Sequence, residues 1–411
     1  MKYRKLCCLL ILCVLCLTGC YINSSKQKSE KNDLNNQEVS SKLNKIIQCC
    51  QKIYEQEYKE VDTLEEKQKI INYFGKEGYS AVDTENQINM EKPEPVEKFC
   101  EAAQNKKEAE VTVLLIVDGG SLVCYDFTTK HGDINVERNA LYWENNQMKA
   151  GDFEKYKAYT WSYTKKGYLF IEQYHKKGYD GPPGQMAIRV KPLDQTCRNL
   201  TQKYVMPVGY ERNNLLITNW SENDYGEVDF YDMYECMYYM KYGAYVPYEE
   251  YYSNYNNRAE YEIANEEFEE VIQTYFSIDC DELRKKTFYN EETHTYRYRP
   301  RGMYDAEEPY EPYPEVIGYE KQDDGTIKLI VEAVWTIKNK DQALTSELVV
   351  RPLKDGGFQY VSNHILNTLD STEPSWYRPR LTDKEWQKLK LGEIYHEKNI
   401  SAEKETEKQS T

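Results

Sequence analysis

The hydrophobic period changes along this chain, and that change bounds the fold more tightly than any other feature. Val39, Leu43, Ile46, Ile47, Cys50, Ile53 and Tyr54 recur at three- and four-residue steps, which predicts a helix over about 38–60. Thr63 with Glu66 three residues on is a capping-box pattern; it predicts a second helix over 63–74, with Gly75 just past its end. The period then becomes that of extended chain. Val111–Val117 is one apolar run, Asp118-Gly119-Gly120 a turn, and Ser121–Phe127 the return. A second hairpin is expected at Ala158–Tyr163 and Tyr168–Tyr174 around Lys165-Lys166-Gly167, with further strands at Met186–Leu193 and Leu215–Trp220. Helices followed by antiparallel strands read as α+β.

The second half repeats that order. Ile263–Phe276 is amphipathic, Asp281–Phe288 suggests another helix, and strands follow at Val316–Lys321, Ile327–Ile337, Leu344–Leu353 and Phe358–Ile365. Asp324-Gly325 and Asp355-Gly356-Gly357 punctuate them. AIRVKPLD at 187–194 echoes LVVRPLKD at 348–355, as a degenerate tandem repeat would leave and as chance also can in eight residues. Two α+β domains, each with N-terminal helices packed on an antiparallel sheet, are therefore expected at 37–224 and 263–396, joined by a tyrosine-rich helical connector at 225–262. Thr382–Leu391, with Trp386 and Leu389, reads as a closing helix, and the charged tail 397–411 as disordered.

At the start, Lys2, Arg4 and Lys5 precede a twelve-residue apolar run, Leu6–Leu17, too short for the roughly 20 residues that cross a bilayer as a helix. It ends in Leu17-Thr18-Gly19-Cys20. This resembles the lipobox of bacterial lipoproteins, and the lysine-, asparagine- and tyrosine-rich composition resembles uncharacterised lipoproteins of anaerobic Firmicutes. The resemblance implies a signal peptide over 1–19, cleavage between Gly19 and Cys20, and a diacylglyceryl group on the Cys20 thiol. Residues 20–36 then form a polar flexible tether, and the body is extracytoplasmic, lipid-anchored to the cell membrane.

Loss of residues 1–19 would remove three positive charges and no negative one, moving the net charge from −16 to −19. That argues against nucleic acid, which is bound mainly through Lys and Arg. The seven remaining cysteines, Cys49, Cys50, Cys100, Cys124, Cys197, Cys236 and Cys280, show no zinc-ligand spacing and suggest buried free thiols; neither metal nor cofactor is expected.

The chain holds 39 tyrosines, twelve of them between Tyr225 and Tyr261. Tyr231, Tyr234, Tyr238, Tyr242 and Tyr245 follow helical steps, as a face packed on a core would. Tyr251, Tyr252 and Tyr255 are the candidate binding residues, since a flat ring with a polar rim suits a glycan, a peptide or an envelope protein. Catalytic patterns are weak. There is no HExxH and no GxSxG, Ser25-Lys26-Gln27-Lys28 falls in the tether, and Asp279 reads as a helix cap rather than an acid pair with Asp281 and Glu282. His364 lies at the end of the last strand, with Cys280 far away in sequence. No catalytic residue is assigned. The expectation is a non-catalytic binding or interaction protein with a tyrosine-rich surface; the alternative is a wall or polysaccharide hydrolase with an unrecognised carboxylate pair.

Overall fold

Thr63 closes its capping box: its hydroxyl accepts from the Glu66 amide at 3.2 Å, and the Glu66 carboxylate accepts from the Thr63 amide at 3.1 Å. The computed structural model that shows this describes residues 41–57, 61, 63–248, 260–302, 305, 310–368 and 374–390. The expectations for Gly19, Cys20, the tether, the tail, and Tyr251, Tyr252 and Tyr255 lie outside those residues. The chain divides into units at Met1–Ile46 and Ile47–Thr411; of the first, residues 41–46 are described, as the opening of α1 (Ser41–Glu57). The architecture below belongs to the second.

Helix α2 (Leu64–Lys76) contains Gly75 rather than ending before it. A Cβ at Gly75 would meet the Glu91 carboxylate at 2.7 Å, so the glycine admits a close neighbour and does not terminate the helix. Strand β1 (Ser80–Asp83) pairs in parallel with β2 (Ala109–Ile116), with α3 (Pro93–Gln104) between them in the chain. From β2 the sheet continues as an antiparallel meander through β3 (Leu122–Lys130), β4 (Asp133–Glu144) and β5 (Gln147–Lys157). Val113, Leu115, Phe127 and Val136 share a core with Val96 and Phe99 of α3. The alternate residues Leu114, Ile116 and Cys124 are also buried, and Cys50 of α1 stands close to Cys124.

A three-stranded antiparallel sheet follows, β6 (Thr160–Tyr163), β7 (Tyr168–Glu172) and β8 (Gln185–Arg189). Leu169 and Ile171 belong to the core of the first sheet, whereas Tyr168 and Phe170 pack with Val334 of the second half. Burial on both faces is why this strand reads as an unbroken apolar run. Helix α4 (Gln195–Leu200), capped by Asp194, runs on into a π-turn at Thr201–Val205.

Leu215–Ile217 is buried as a turn and not as the strand expected; only β9 (Trp220–Ser221) is extended. Asn213 Oδ1 accepts from the Leu215 amide at 3.1 Å and Asn214 Nδ2 donates to the Glu227 carbonyl at 2.6 Å. These side chains satisfy backbone that a ladder would otherwise satisfy. Next come α5 (Phe230–Tyr242), β10 (Tyr261–Ala264), α6 (Asn265–Tyr275), α7 (Cys280–Lys285), β11 (Tyr289–Asn290) and β12 (Thr295–Tyr298), with α5 packed on α6. The second large sheet is the antiparallel meander β13 (Tyr313–Lys321), β14 (Ile327–Val334), β15 (Leu344–Pro352) and β16 (Phe358–Thr368), with β9 at its edge. Helix α8 (Asp383–Lys390) is the closing helix. The fold is α+β, with several sheets. The two echoing octapeptides sit differently, one in an outer strand of the three-stranded sheet and one in the interior strand β15.

Tyr231 and Tyr234 of the helical stripe are buried, with Tyr296 and Tyr298, in the core of the second half. Exposure rises toward the end of α5, through Tyr242 at 48% to Tyr245 at 60%, beyond Gly243 in the left-handed conformation (φ 64°). The seven cysteines outside the apolar run and Cys20 are free thiols, five of them buried. Among the described residues no helix is long and apolar enough to cross a membrane.

Candidate functional site

Helix α5 begins by burying acid. Asp229 is its N-cap, accepting from the Tyr231 and Asp232 amides at 2.9 and 3.1 Å. The next acid, Asp232, is 1% exposed, which a carboxylate tolerates only when fully bonded. Arg301 grips it with two nitrogens at 2.9 and 2.6 Å, Arg380 donates from Nε at 2.6 Å, and the Tyr377 hydroxyl donates at 3.0 Å. Glu235, three residues on, accepts from Tyr298 at 2.8 Å and from Arg380 Nη2.

The two arginines come from one tetrapeptide written twice, Tyr298-Arg299-Pro300-Arg301 and Tyr377-Arg378-Pro379-Arg380. Each copy's last arginine donates to the carbonyl before the other copy's proline: Arg301 to Arg378 at 2.6 Å, and Arg380 to Arg299 at 2.6 Å. Proline keeps both segments extended, which leaves those carbonyls available as acceptors. The result is a reciprocal clasp that pins the C-terminal segment to α5.

Beside the clasp opens a cleft of about 380 Å³, walled by Lys286, Phe288, Arg297, Arg299, Arg380 and Trp386 together with the residues that open α5. Strand alternation puts it there. Tyr296 and Tyr298 point into the core, so Arg297 points the other way, and Arg299 continues the same side. Arg297 lies 4.4 Å from the Phe288 ring centre, and Arg299 lies 5.4 Å from it and 5.3 Å from that of Trp386. One carboxylate bridges both arginines: Asp383, the first residue of α8, receives Arg297 Nη2 at 2.8 and 2.9 Å and Arg299 Nη2 at 2.9 Å. Arg297 Nε and Arg299 Nη1 are buried without a hydrogen-bond partner among the described residues. Burial, with Arg297 adding repulsion, holds the Arg299 guanidinium below its ordinary range although Asp383 opposes this.

Of the three acids that line the cleft, Glu227 is exposed and the other two are engaged elsewhere. Asp305 accepts from the Gly302 amide at 2.7 Å and the Leu381 amide at 3.4 Å, and Asp229 is committed to its cap and to Arg380 at 3.6 Å. Burial and the charge of Asp232 push the Asp229 carboxyl up to about 6, against the pull of Arg380. Lys286 donates to the Gly226 carbonyl at 3.0 Å. Chemically, the cleft offers cations, the rings of Phe288 and Trp386 beside those of Phe230 and Tyr231, and one exposed acid, Glu227; no Ser, Cys or His stands among its described lining residues. Such a wall suits an organic anion.

His364 is exposed on β16, opposite Glu347, and Asp279 caps α7 through the Glu282 amide at 2.8 Å. A carboxylate pair does form at Glu85 and Asp118, which share a hydrogen bond beside Lys67. Burial and Asp118 raise the Glu85 carboxyl to about 7. Two acids in direct contact lack the separation of roughly 5–9.5 Å that glycosidases use. Among the described residues no group of three or more His, Cys, Asp or Glu is placed to hold a metal ion. The signal for the cleft was present in the sequence, in arginines at 297, 299 and 301 and in the doubled tetrapeptide.

No curated protein matches this chain, and no solved structure does. One family does, over residues 36–380, a span that includes Lys286, Arg297, Arg299 and the whole clasp and ends before α8. The chain belongs to this family of unknown function (DUF6070).

Proposed function

We propose that the protein is a lipid-anchored, extracytoplasmic binding protein without catalytic activity, which captures an anionic ligand in the arginine-lined cleft. The carrying observation is the pairing at Arg297 and Arg299: two largely buried guanidiniums meet at one bridging carboxylate, with Glu260 a second acid acting on Arg299, in a chain whose net charge is −16. Charges withdrawn from water call for counter-charge. The cleft's volume is that of a small-molecule site, and its rings add apolar contact. Expected partners thereby narrow to glycans, peptides or envelope proteins that carry an acidic group. The anchor rests on Lys2, Arg4 and Lys5, the apolar run and Cys20. Its two acyl chains would hold the body at the membrane without a second membrane element.

Calorimetry on the full chain in detergent, with sodium benzoate and phenyl phosphate as probes, tests the binding half. Binding of one probe, lost in Arg299→Ala, is expected; no heat with either probe overturns the reading. For the anchor, mass spectrometry of the native protein should find Cys20 as the acylated first residue. An intact, unacylated start removes that half.

A further inference from the structure

Building on the cleft as ligand site, we infer that the natural ligand presents a carboxylate to Arg297 and Arg299, and that Asp383 occupies its place until it arrives. The geometry already shows a carboxylate in position. Asp383 sets both oxygens on Arg297 Nη2 and one on Arg299 Nη2, all within 2.9 Å, an arrangement in which a planar two-oxygen group meets donors from two guanidiniums.

The asymmetry of burial says which partner can leave. The Asp383 side chain is 46% exposed, whereas Arg297 is 32% and Arg299 only 12% exposed. The acid can turn to water at small cost. The arginines, stacked on Phe288 and Trp386, cannot, and leaving them unpaired is the costly alternative. An incoming carboxylate therefore replaces Asp383 rather than adding to it. The chain before Asp383 stays fixed meanwhile, since Arg380 is held by Asp232 and Glu235. Helix α8 also keeps its start without the Asp383 carboxylate, because Thr382 and Glu385 cap it reciprocally: the Thr382 amide donates to Glu385 at 2.8 Å and the Glu385 amide to Thr382 at 3.4 Å. The remaining cleft, about 380 Å³ with two aromatic walls, receives the body of the ligand.

The test is Asp383→Asn in the full chain, with benzoate, its neutral isostere benzamide, and phenyl phosphate as calorimetric probes, and Glu385→Gln as a control on the same helix. Removing the internal competitor should tighten benzoate about tenfold, leave benzamide without binding, and leave urea unfolding close to that of the parent. Glu385→Gln should leave benzoate affinity unchanged. Benzoate binding that is lost in Arg299→Ala yet unaltered or weakened in Asp383→Asn overturns the displacement while the cleft reading stands. Phenyl phosphate bound tenfold tighter than benzoate overturns the carboxylate class. Silence of the parent toward both anions overturns the cleft itself.

Discussion

Two nodes of this molecule are built from the same parts, and they end differently. At the first, Glu315 on β13 is buried with Arg189 at 2.5 Å, Arg198 at 3.6 Å and the Tyr168 hydroxyl at 3.0 Å. Tyr313 donates to Tyr168 at 3.0 Å, and Asn86 bonds the backbone of β8 on both its amide atoms. The void beside it, about 10 Å³, has room for no more than about one water. At the second, Asp232 likewise holds two arginines and a tyrosine, but a cleft of about 380 Å³ lies alongside with Arg297 and Arg299 on its wall. A node sealed from solvent, even with two guanidiniums on one carboxylate, joins strands. An open one with cations left over can receive something.

The hardest test of that comparison removes each central acid. Asp232→Ala strands Arg301, 7% exposed, and leaves Arg380 to Glu235 and Asp229; Glu315→Ala strands Arg189 and Arg198, 6% and 3% exposed. Each should cost about 3–5 kcal/mol, the usual penalty for an uncompensated buried charge. Urea denaturation followed by tryptophan fluorescence reads it. A loss below about 1 kcal/mol at either site would show that water reaches the arginines and that the node is not sealed.

Next in size is the arginine itself, where the nodes should part. Arg189→Ala breaks a buried pair and should again cost about 3–5 kcal/mol. Arg299→Ala breaks a pair whose acid is half exposed and should cost about 0–1 kcal/mol. Equal losses would make Arg299 structural mortar like Arg189, and the cleft an accident of packing.

How far the sequence foretold these regions depended on range. The capping box at Thr63 and the hairpin turns were legible because their partners lie within a few residues. Helix α3 escaped notice because it starts at Pro93 after Lys92 in the left-handed region, with no side-chain cap to announce it. The β4–β5 hairpin escaped because only scattered residues such as Ile134, Val136 and Leu141 are buried, and its turn, Asn145-Asn146 with φ of 52° and 60°, lacks glycine. The tyrosine stripe was read correctly as core at Tyr231 and Tyr234. The clasp was written plainly as a repeated tetrapeptide, yet its meaning lies in Asp232, 69 residues from Arg301 and 148 from Arg380. No local pattern reveals that acid. Asp232 reads in sequence as one more helix acid, and burial alone makes it the hub.

The smallest effect is a matter of pH, and it is read at the open node. Asp229 faces Asp232 on its own helix and, across from it, Arg380 of the C-terminal segment and Arg301; its carboxyl is pushed up to about 6 by burial and by Asp232. A carboxyl raised in the folded state holds its proton where the unfolded chain, near the ordinary 3.8, has released it. Stability from this group is therefore full below about 4, falls as pH rises to about 6, and is flat above. Asp229→Asn, which still caps α5, should flatten that slope without a large loss at pH 5. Below pH 6 the protonated acid also withdraws one negative charge from the cleft wall, so benzoate affinity should rise by a few fold between pH 7 and 5 in the parent and not in Asp229→Asn. The benzoate carboxylate stays ionised through most of that range, so the change reports the protein. An affinity that falls on acidification in both proteins would place Asp229 away from the bound anion.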